Sequence, residues 1–332
     1  VLAFSALTAI GVLVRSDAWL RLYKYTWAAA GIGLLLLTFV FGTDTNGARL
    51  TLQIGPIAGQ PSELLKIVIV VFLAGYLAEY RPLLLGGVWR LGPLRLPPLP
   101  YLAPMIGLWA IALTIVVVQR DLGTALLYFL TFLGLLYAAT GRLGYIVGGG
   151  VCFVLGAAAA ARIFPHVAAP FADPQGAGYQ IVQALYAFGR GGLLGTGLGA
   201  GLPSLHGRPP IPAIHTDFPL ALVGEELGLV GVVAVLACYL VLVERGLRIA
   251  VTAADDVRAL LAAGLSLVLA VQAFVITAGN LRVIPLTGIT LPFVSYGGSS
   301  LLANGVIVGL LLAFSDRSVR IPTARDRTGR PK

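Results

Sequence analysis

Long apolar segments separated by short polar ones run along almost the whole chain. We place nine of them, at about residues 1–14, 27–42, 64–80, 102–118, 122–140, 144–164, 219–243, 258–279 and 299–315. Most are near the roughly 20 residues with which a helix crosses the hydrocarbon core of a bilayer. Helices are expected because an open sheet would leave backbone groups without hydrogen bonds in lipid. The pattern predicts an all-α, polytopic transmembrane helical bundle that forms a single domain over residues 1–332.

The composition agrees with a membrane protein. Of the 332 residues, 58% are hydrophobic and only 11% are charged, and the mean hydropathy is +0.91, which excludes a soluble domain. Because Val1 is not a methionine and lies inside an apolar run, we expect the first segment to be incomplete. Cys152 and Cys238 lie in different apolar segments, where side-chain packing explains them better than a disulfide does.

The basic residues are distributed unevenly between alternate loops. Sixteen Lys and Arg residues fall in the first, third, fifth and seventh loops and in the tail. The remaining loops contain only five, which are Arg49, Arg120, Arg190, Arg208 and Arg282. The positive-inside rule then places the tail, residues 316–332, in the cytoplasm and the sparse loops outside. The net charge of +9 is thus a topology signal that also attracts anionic membrane lipids, and no nucleic-acid partner is expected.

Three of the sparse loops, 43–61, 165–216 and 280–298, have unusual compositions. We predict that 165–216 is a long extracytoplasmic loop with a short helix at 179–188. Residues 189–201 are so rich in glycine that two interpretations stay open. They form either a flexible or tightly turning segment close to the membrane surface, or a mobile gate over a cavity.

Asp217 is the first candidate for chemistry. It stands at the mouth of the apolar run 219–243, and Glu225 and Glu226 lie within that run. Acids in or at the edge of the hydrocarbon are costly, so they are functional candidates by default. The alternative is that Asp217 caps the following helix and that His215 is an ordinary loop residue. A cap does not explain the two glutamates.

A second polar group surrounds the start of the apolar run 64–80. Pro61 favours a helix start, for which Ser62 is a candidate cap. Glu63 and Lys66 are three residues apart and share one helix face. This pair either neutralises itself where the helix begins or lines a cavity that holds an anion or a metal.

Two further groups interrupt the apolar pattern. Gln119, Arg120 and Asp121 form a very short link between two apolar segments, for which an exposed turn is the alternative interpretation. Residues 291–300 bring Pro and Gly to membrane depth. Because irregular backbone there must be buried in protein or line a cavity, we predict a re-entrant Pro/Gly segment.

Together these motifs resemble the SEDS family of bacterial cell-wall polymerases, of the RodA/FtsW type. The most specific stretches are Gly178-Tyr179-Gln180, Gly191-Gly192-Leu193, His215-Thr216-Asp217-Phe218, Gly224-Glu225-Glu226-Leu227-Gly228 and the stretch from Pro292 to Ser299. They follow the family order over nearly the whole chain. The chain departs from the family pattern at Arg120, where Pro is common, and at Pro219-Leu220, where a more uniformly apolar pair is usual.

The resemblance implies ten transmembrane helices, of which about nine are visible here and the first is missing. It implies a peptidoglycan glycosyltransferase of the bacterial inner (cell) membrane that polymerises lipid II at the outer face. The implied partner is a class B penicillin-binding protein transpeptidase. Asp217 matches the family's essential acid, and Glu63 and Lys66 match polar residues of its central cavity. The cysteine-free outer loops and short tail resemble the elongation-type members, which maintain cell shape, more than the division type.

The chemistry of glycan extension suits these side chains. Asp217 can take the proton of an attacking sugar hydroxyl. A departing lipid diphosphate needs positive charge, for which Arg49, Lys66 and Arg208 are candidates. The other predicted substrate-binding residues are Glu63, Gln119, Asp121, His215, Glu225, Ser295, Tyr296 and Ser299. Asp217 and Glu63 are also candidate ligands for a divalent cation, and only hard ions such as Mg²⁺ or Mn²⁺ suit oxygen ligands. We expect no nucleotide, haem or zinc.

Other functions remain open from the sequence. A lipid II flippase also needs a polytopic bundle with a polar cavity, and a non-catalytic scaffold could recruit the transpeptidase. A division-specific, FtsW-type role is the alternative within the family. The absence of obvious inverted halves argues against transport, and buried acids would be an unnecessary cost in a scaffold.

Overall fold

The computed structural model describes residues 22–45, 48–54, 57–86, 89–91, 94–96, 99–163, 178–201, 211 and 214–318. These residues form ten helices and five short strands. The helices are α1 (Lys24–Phe41), α2 (Pro61–Leu85), α3 (Leu99–Val118), α4 (Leu122–Thr140), α5 (Leu143–Ile163), α6 (Tyr179–Gly191), α7 (Pro219–Glu226), α8 (Gly228–Thr252), α9 (Asp256–Asn280) and α10 (Gly298–Ser318). The strands are β1 (Thr43–Thr45), β2 (Ala48–Ile54), β3 (Ile57–Gly59), β4 (Trp89–Leu91) and β5 (Leu94–Leu96).

The predicted helical bundle is confirmed. Within the described ranges, six helices are long and apolar enough to cross a membrane, namely α1, α2, α4, α8, α9 and α10. Helices α3 and α5 carry shorter apolar stretches, Ala103–Val118 and Leu143–Gly156. The strands are confined to two loops, in an antiparallel sheet β1-β2-β3 and an antiparallel pair β4-β5. The first predicted segment, 1–14, lies outside the described residues.

Helices α2, α4 and α9 form the centre of the bundle. Gly264 of α9 packs so closely that an added Cβ would lie 2.7 Å from Cγ1 of Val70 in α2 and 3.0 Å from Cδ2 of Leu135 in α4. Small residues allow such close approach between membrane helices, where dispersion contacts drive association. By contrast, α8 leaves Leu229 and Leu240 exposed, as expected of a helix that faces lipid.

The bundle has two chemically different ends. At one, which we call the basic end, Arg81 pairs with Asp256 at 2.8 Å and donates to the carbonyl oxygen of Ala139. Arg142 donates to the Leu84 carbonyl oxygen at 3.4 Å. The loops predicted to be rich in Arg therefore meet at this end. The opposite end, where α2, α4, α8 and α10 begin and α3 and α9 finish, we call the site end.

The apolar run 219–243 was predicted as one segment, and this was wrong. It divides into α7 and α8 at Leu227 and Gly228, where Gly228 has a φ of +68°. The amides of Leu229 and Val230 donate to carbonyl oxygens of the glycine-rich segment, at 2.9 and 3.2 Å. Glu225 and Glu226 thus precede the membrane-spanning helix α8 and do not lie within it.

The long loop 165–216 contains the predicted short helix, here α6. The glycine-rich residues that follow it are held by backbone hydrogen bonds. Thr196 N–H donates to the Glu225 carbonyl oxygen at 2.9 Å, and Gly197 N–H donates to that of Glu226 at 3.0 Å. Of the two interpretations, these contacts favour the tightly turning segment over the mobile gate.

Candidate functional site

Asp217 lies in a turn that immediately precedes α7. The residue that caps α7 is Phe218, and no side chain makes a capping hydrogen bond there, so the alternative that Asp217 is a helix cap is wrong. Its carboxylate Oδ2 instead accepts a hydrogen bond from Thr216 Oγ1 at 3.2 Å. Burial raises the pKa of Asp217 above its usual range, and the Thr216 hydrogen bond opposes this to a smaller extent.

An apolar platform supports the Asp217 turn. It consists of Ile181, Ala184 and Ala187 of α6, and of Ile211, Ile214, Phe218 and Ala221 around the turn. Leu286, from the segment between α9 and α10, packs against it. The amphipathic helix α6 therefore holds the acid in place.

Two hydrogen bonds tie this turn to the rest of the bundle. Asn280 Nδ2 donates to the Asp217 carbonyl oxygen at 2.9 Å. Tyr296 N–H donates to the His215 carbonyl oxygen at 2.8 Å. The side chains of His215 and Tyr296 are exposed, which leaves them accessible to a substrate at the site end.

The segment between α9 and α10 re-enters the bundle, as predicted. Tyr239 donates its hydroxyl hydrogen to the Pro292 carbonyl oxygen. Tyr239 lies eleven residues after Gly228, the first residue of α8, or about 16 Å along that helix. Ser295 Oγ accepts from the Leu291 N–H at 2.8 Å and is buried. Ser295 therefore stabilises the turn at the bottom of this segment.

Lys66 is the centre of a buried polar network. Its Nζ donates to Glu63 Oε2 at 2.6 Å, to Gln272 Oε1 at 3.2 Å and to Asn304 Oδ1 at 3.0 Å. An ammonium has three donor hydrogens, and all three are used. Lys66 therefore links α2, α9 and α10 and has no donor left for a substrate diphosphate in this arrangement.

The same network reaches the re-entrant segment. Asn304 Nδ2 donates to Ser300 Oγ at 3.0 Å, and Ser300 shares a hydrogen bond with Thr290. Ser299 Oγ accepts from the Gln60 N–H, also at 3.0 Å. The position of the re-entrant segment thus depends on polar contacts with α2 and α10.

The link between α3 and α4 is a turn in which Arg120 is exposed, as the alternative interpretation expected, whereas Gln119 and Asp121 are buried. Asp121 Oδ1 accepts from the Thr124 N–H at 3.0 Å and caps α4, while Oδ2 accepts from Gln60 Nε2 at 3.4 Å. Burial raises the pKa of Asp121, and the Thr124 hydrogen bonds oppose this rise. Gln119 is also buried and donates to the Leu35 carbonyl oxygen.

Two glutamates predicted from their positions have structural contacts. Glu225 is buried and accepts a hydrogen bond from Arg190 Nε at 2.9 Å, which joins α7 to α6. Glu226 lies beside Gly201, where an added Cβ would come within 3.2 Å of its carboxylate.

Ser62 was a candidate cap for α2, and this was wrong, because the residue at the cap position is Gln60, and no side chain makes a capping hydrogen bond there.

The structure brings most predicted residues to the site end. Gln272 and Asn280 both belong to α9, eight residues apart, so the contacts of Lys66 and of Asp217 lie about 12 Å apart along one helix. The backbone of Arg49 lies opposite that of Asp44 in the register of β1 and β2, and the Arg49 side chain is outside the described atoms. Arg208 lies outside the described residues.

Four contributing residues were missed from the sequence, namely Gln60, Gln272, Asn280 and Asn304. All four are amides beside or within apolar runs. Uncharged polar side chains at membrane depth carry a signal similar to that of acids, and this signal could have identified Gln272 and Asn304.

The donor set for a metal is incomplete. Within the ranges that the structure covers, no three His, Cys, Asp or Glu residues come together. The Glu63 carboxylate forms an ion pair with Lys66 Nζ at 2.6 Å. A divalent ion held by Asp217 and Glu63 alone does not fit this arrangement, and the predicted Mg²⁺ or Mn²⁺ dependence stays a prediction.

The fold and site define a multi-pass membrane protein with a half-buried acid at one end of its helical bundle. The sequence profile of the FtsW/RodA/SpoVE family, described as cell cycle proteins, matches residues 1–319, and the chain belongs to this family.

Named relatives and solved structures support this family assignment. Peptidoglycan glycosyltransferase RodA of Mycobacterium tuberculosis H37Rv is 39% identical over 98% of this chain and 71% of its own length. Probable peptidoglycan glycosyltransferase FtsW of Nitrosococcus halophilus is 36% identical over 98% and 84%. Thermus thermophilus rod shape determining protein RodA superposes with a TM-score of 0.66 at 28% identity, covering 95% of this chain and 86% of that one. A chain of a peptidoglycan synthase complex gives 0.75 at 25% identity, covering 96% and 90%. The predicted enzyme class, a peptidoglycan glycosyltransferase, is confirmed.

Proposed function

We propose that this chain joins lipid II units into glycan strands during cell elongation and cell-shape maintenance, with Asp217 as the general base. The observation that carries the proposal is the setting of Asp217. Its carboxylate is half-buried on the platform of α6 and α7, and its backbone is fixed by Asn280. A general base must be held within hydrogen-bond reach of the proton that it removes.

In the proposed step, the hydroxyl oxygen of one sugar attacks the anomeric carbon of another. A new glycosidic C–O bond forms while the bond from that carbon to the diphosphate breaks, and its electron pair leaves with the lipid diphosphate. The hydroxyl proton passes to Asp217. Because burial raises the pKa of this carboxyl, its carboxylate is a stronger base than an exposed aspartate would provide.

The leaving diphosphate requires positive charge. Lys66 is saturated by three acceptors and Arg190 is paired with Glu225, so we assign this role to Arg49 and Arg208. A divalent cation belongs to the proposal only as an ion carried with the substrate, since Mg²⁺ usually binds through one or two carboxylates plus substrate phosphates.

The proposed orientation places the site end at the outer face of the bacterial cell membrane and the basic end, with the tail 316–332, in the cytoplasm. The support is the positive-inside rule together with Arg81 and Arg142 at the basic end. A class B penicillin-binding protein transpeptidase is the proposed partner. Its support is the fold shared with a chain of a peptidoglycan synthase complex.

A lipid II flippase remains the alternative, because a buried polar network within a bundle also suits a transporter. Detergent separates the two functions, since it leaves no two membrane faces. We expect the purified chain, mixed with lipid II in detergent and with the transpeptidase present, to produce long glycan without a nucleotide or an ion gradient. Movement of labelled lipid II across sealed vesicles, with no glycan in detergent under any cation, would support the flippase instead.

A further inference from the structure

Asn280 is the last residue of α9 and is completely buried. Its Nδ2 donates to the backbone carbonyl oxygen of Asp217 at 2.9 Å. A carbonyl oxygen can only accept, so this contact fixes the amide with its nitrogen toward Asp217. The bond joins the turn of the proposed base to a helix that is itself mostly buried in the bundle.

The other half of this amide has no such contact. Within the described part of the chain, Asn280 Oδ1 is buried without a hydrogen-bond partner. A buried acceptor left unsatisfied destabilises the folded state, and an apolar side chain of similar shape would remove that cost. A buried amide oxygen without a partner at such a position calls for an explanation other than stability.

A second bond completes the restraint on the turn. Tyr296 N–H donates to the His215 carbonyl oxygen at 2.8 Å, two residues before Asp217. Because that donor belongs to the backbone, side-chain substitutions do not remove it. Asn280 is therefore the restraint on the Asp217 backbone that mutation can test.

We propose that Asn280 is a positioning residue, which holds the carboxylate of Asp217 in its reactive place through the Asp217 carbonyl group. The inference rests on the proposed role of Asp217 as the base. It concerns the rate of the chemical step, since Asn280 acts through the Asp217 backbone and not through a contact with substrate.

The test measures kcat, KM and melting temperature for the purified full chain polymerising lipid II in detergent. Asn280→Leu removes the donor and the orphan oxygen together. We expect kcat to fall roughly ten- to a hundredfold, as small misplacements of a catalytic group do, with KM little changed. The melting temperature should change little, because loss of the orphan oxygen favours the folded state while the Asp217 carbonyl oxygen loses its donor.

Two further variants separate positioning from packing. Asn280→His restores an N–H donor near the position of Nδ2 and should recover part of kcat. Thr277→Val is the matched control on the same helix, because in the described part of the chain the Thr277 hydroxyl donates back to the Ala273 carbonyl oxygen of its own helix. We expect that control to keep the wild-type kcat. If Asn280→Leu gives no folded protein, Asn280→Ala provides the same comparison without added bulk.

A near wild-type kcat for Asn280→Leu would overturn the proposal. So would a fall in kcat that tracks the melting temperature across all the variants, or a His variant no faster than an equally stable Leu variant. Asp217→Asn in the same assay separates the positioning role of Asn280 from the role of Asp217 as the base. If Asp217→Asn is active, the base itself is wrongly assigned, whereas an inactive Asp217→Asn beside an active Asn280→Leu rejects only the positioning role.

Discussion

Asp217 and Lys66 show how two charged residues at one end of a bundle are used differently. Asp217 is half-buried, and burial raises its pKa, which makes its carboxylate a better proton acceptor. Lys66 is fully enclosed, and its three donors are satisfied by three side chains. Both residues are recognisable in the sequence as charges near apolar runs. Only their surroundings distinguish a base from a cross-link, because the partners Gln272 and Asn304 are more than 200 positions away along the chain.

The Lys66 network makes a prediction about stability. Lys66→Met should leave Glu63 buried without its partner, and removing one member of a buried ion pair typically costs about 3–5 kcal/mol. The double variant Lys66→Met with Glu63→Gln should regain much of the lost melting temperature. Arg81→Met is the control, since its pair with Asp256 is half-exposed and such pairs contribute about 0–1 kcal/mol. A double variant no more stable than Lys66→Met alone would contradict the account.

The junction between α7 and α8 is the element that the hydrophobic pattern did not reveal. Apolar residues continue across it, and the break arises from Gly228, whose φ is +68°, and from backbone contacts with Leu193 and Gly195 of a distant loop. Glycine is common within membrane helices, so its presence in the sequence did not identify a break. The re-entrant segment was predictable, because Pro and Gly at membrane depth exclude a continuous helix.

Gly228→Ala tests the junction. The added Cβ would overlap the Leu193 carbonyl group and the Gly195 nitrogen, in addition to the strain of a positive φ. Gly141 is a matched control, with a φ of +67° and open space around its missing Cβ. Gly141→Ala should cost about 1–2 kcal/mol, the usual penalty of the left-handed conformation, and Gly228→Ala should lower the melting temperature clearly further. Equal losses would mean that the close packing at Gly228 is unimportant.

For the whole molecule, sequence patterning predicted most of the architecture and few of the polar contacts. The long apolar runs located six spanning helices, since a chain segment in lipid has few alternatives to a helix. The strands in two loops were not predicted, although Ala48–Ile54 alternates apolar and polar residues, a pattern that indicates a half-buried strand. The amide contacts of Gln60 with Asp121 and of Asn280 with Asp217 were also missed, because each joins residues that are distant in the sequence.

The orientation of the molecule can be measured with single cysteines introduced after replacing Cys152 and Cys238 by alanine. Leu198→Cys lies at the site end and Arg248→Cys at the basic end, and both native side chains are exposed. In intact spheroplasts, we expect a membrane-impermeant thiol reagent to label Leu198→Cys, and to label Arg248→Cys only after permeabilisation. The opposite labelling would place the site end in the cytoplasm.

The most direct test of the central claim compares wild type with Asp217→Asn in the polymerisation of lipid II by the purified chain. Wild-type activity should rise with pH as Asp217 deprotonates, with a midpoint above the ordinary aspartate value of about 3.9, because burial raises its pKa. A raised folded-state pKa means that stability falls as pH rises through this range, so Asp217→Asn should be at least as stable as the wild type at neutral pH. We expect this folded variant to make no glycan. A variant that polymerises lipid II near the wild-type rate would show that Asp217 is not the base.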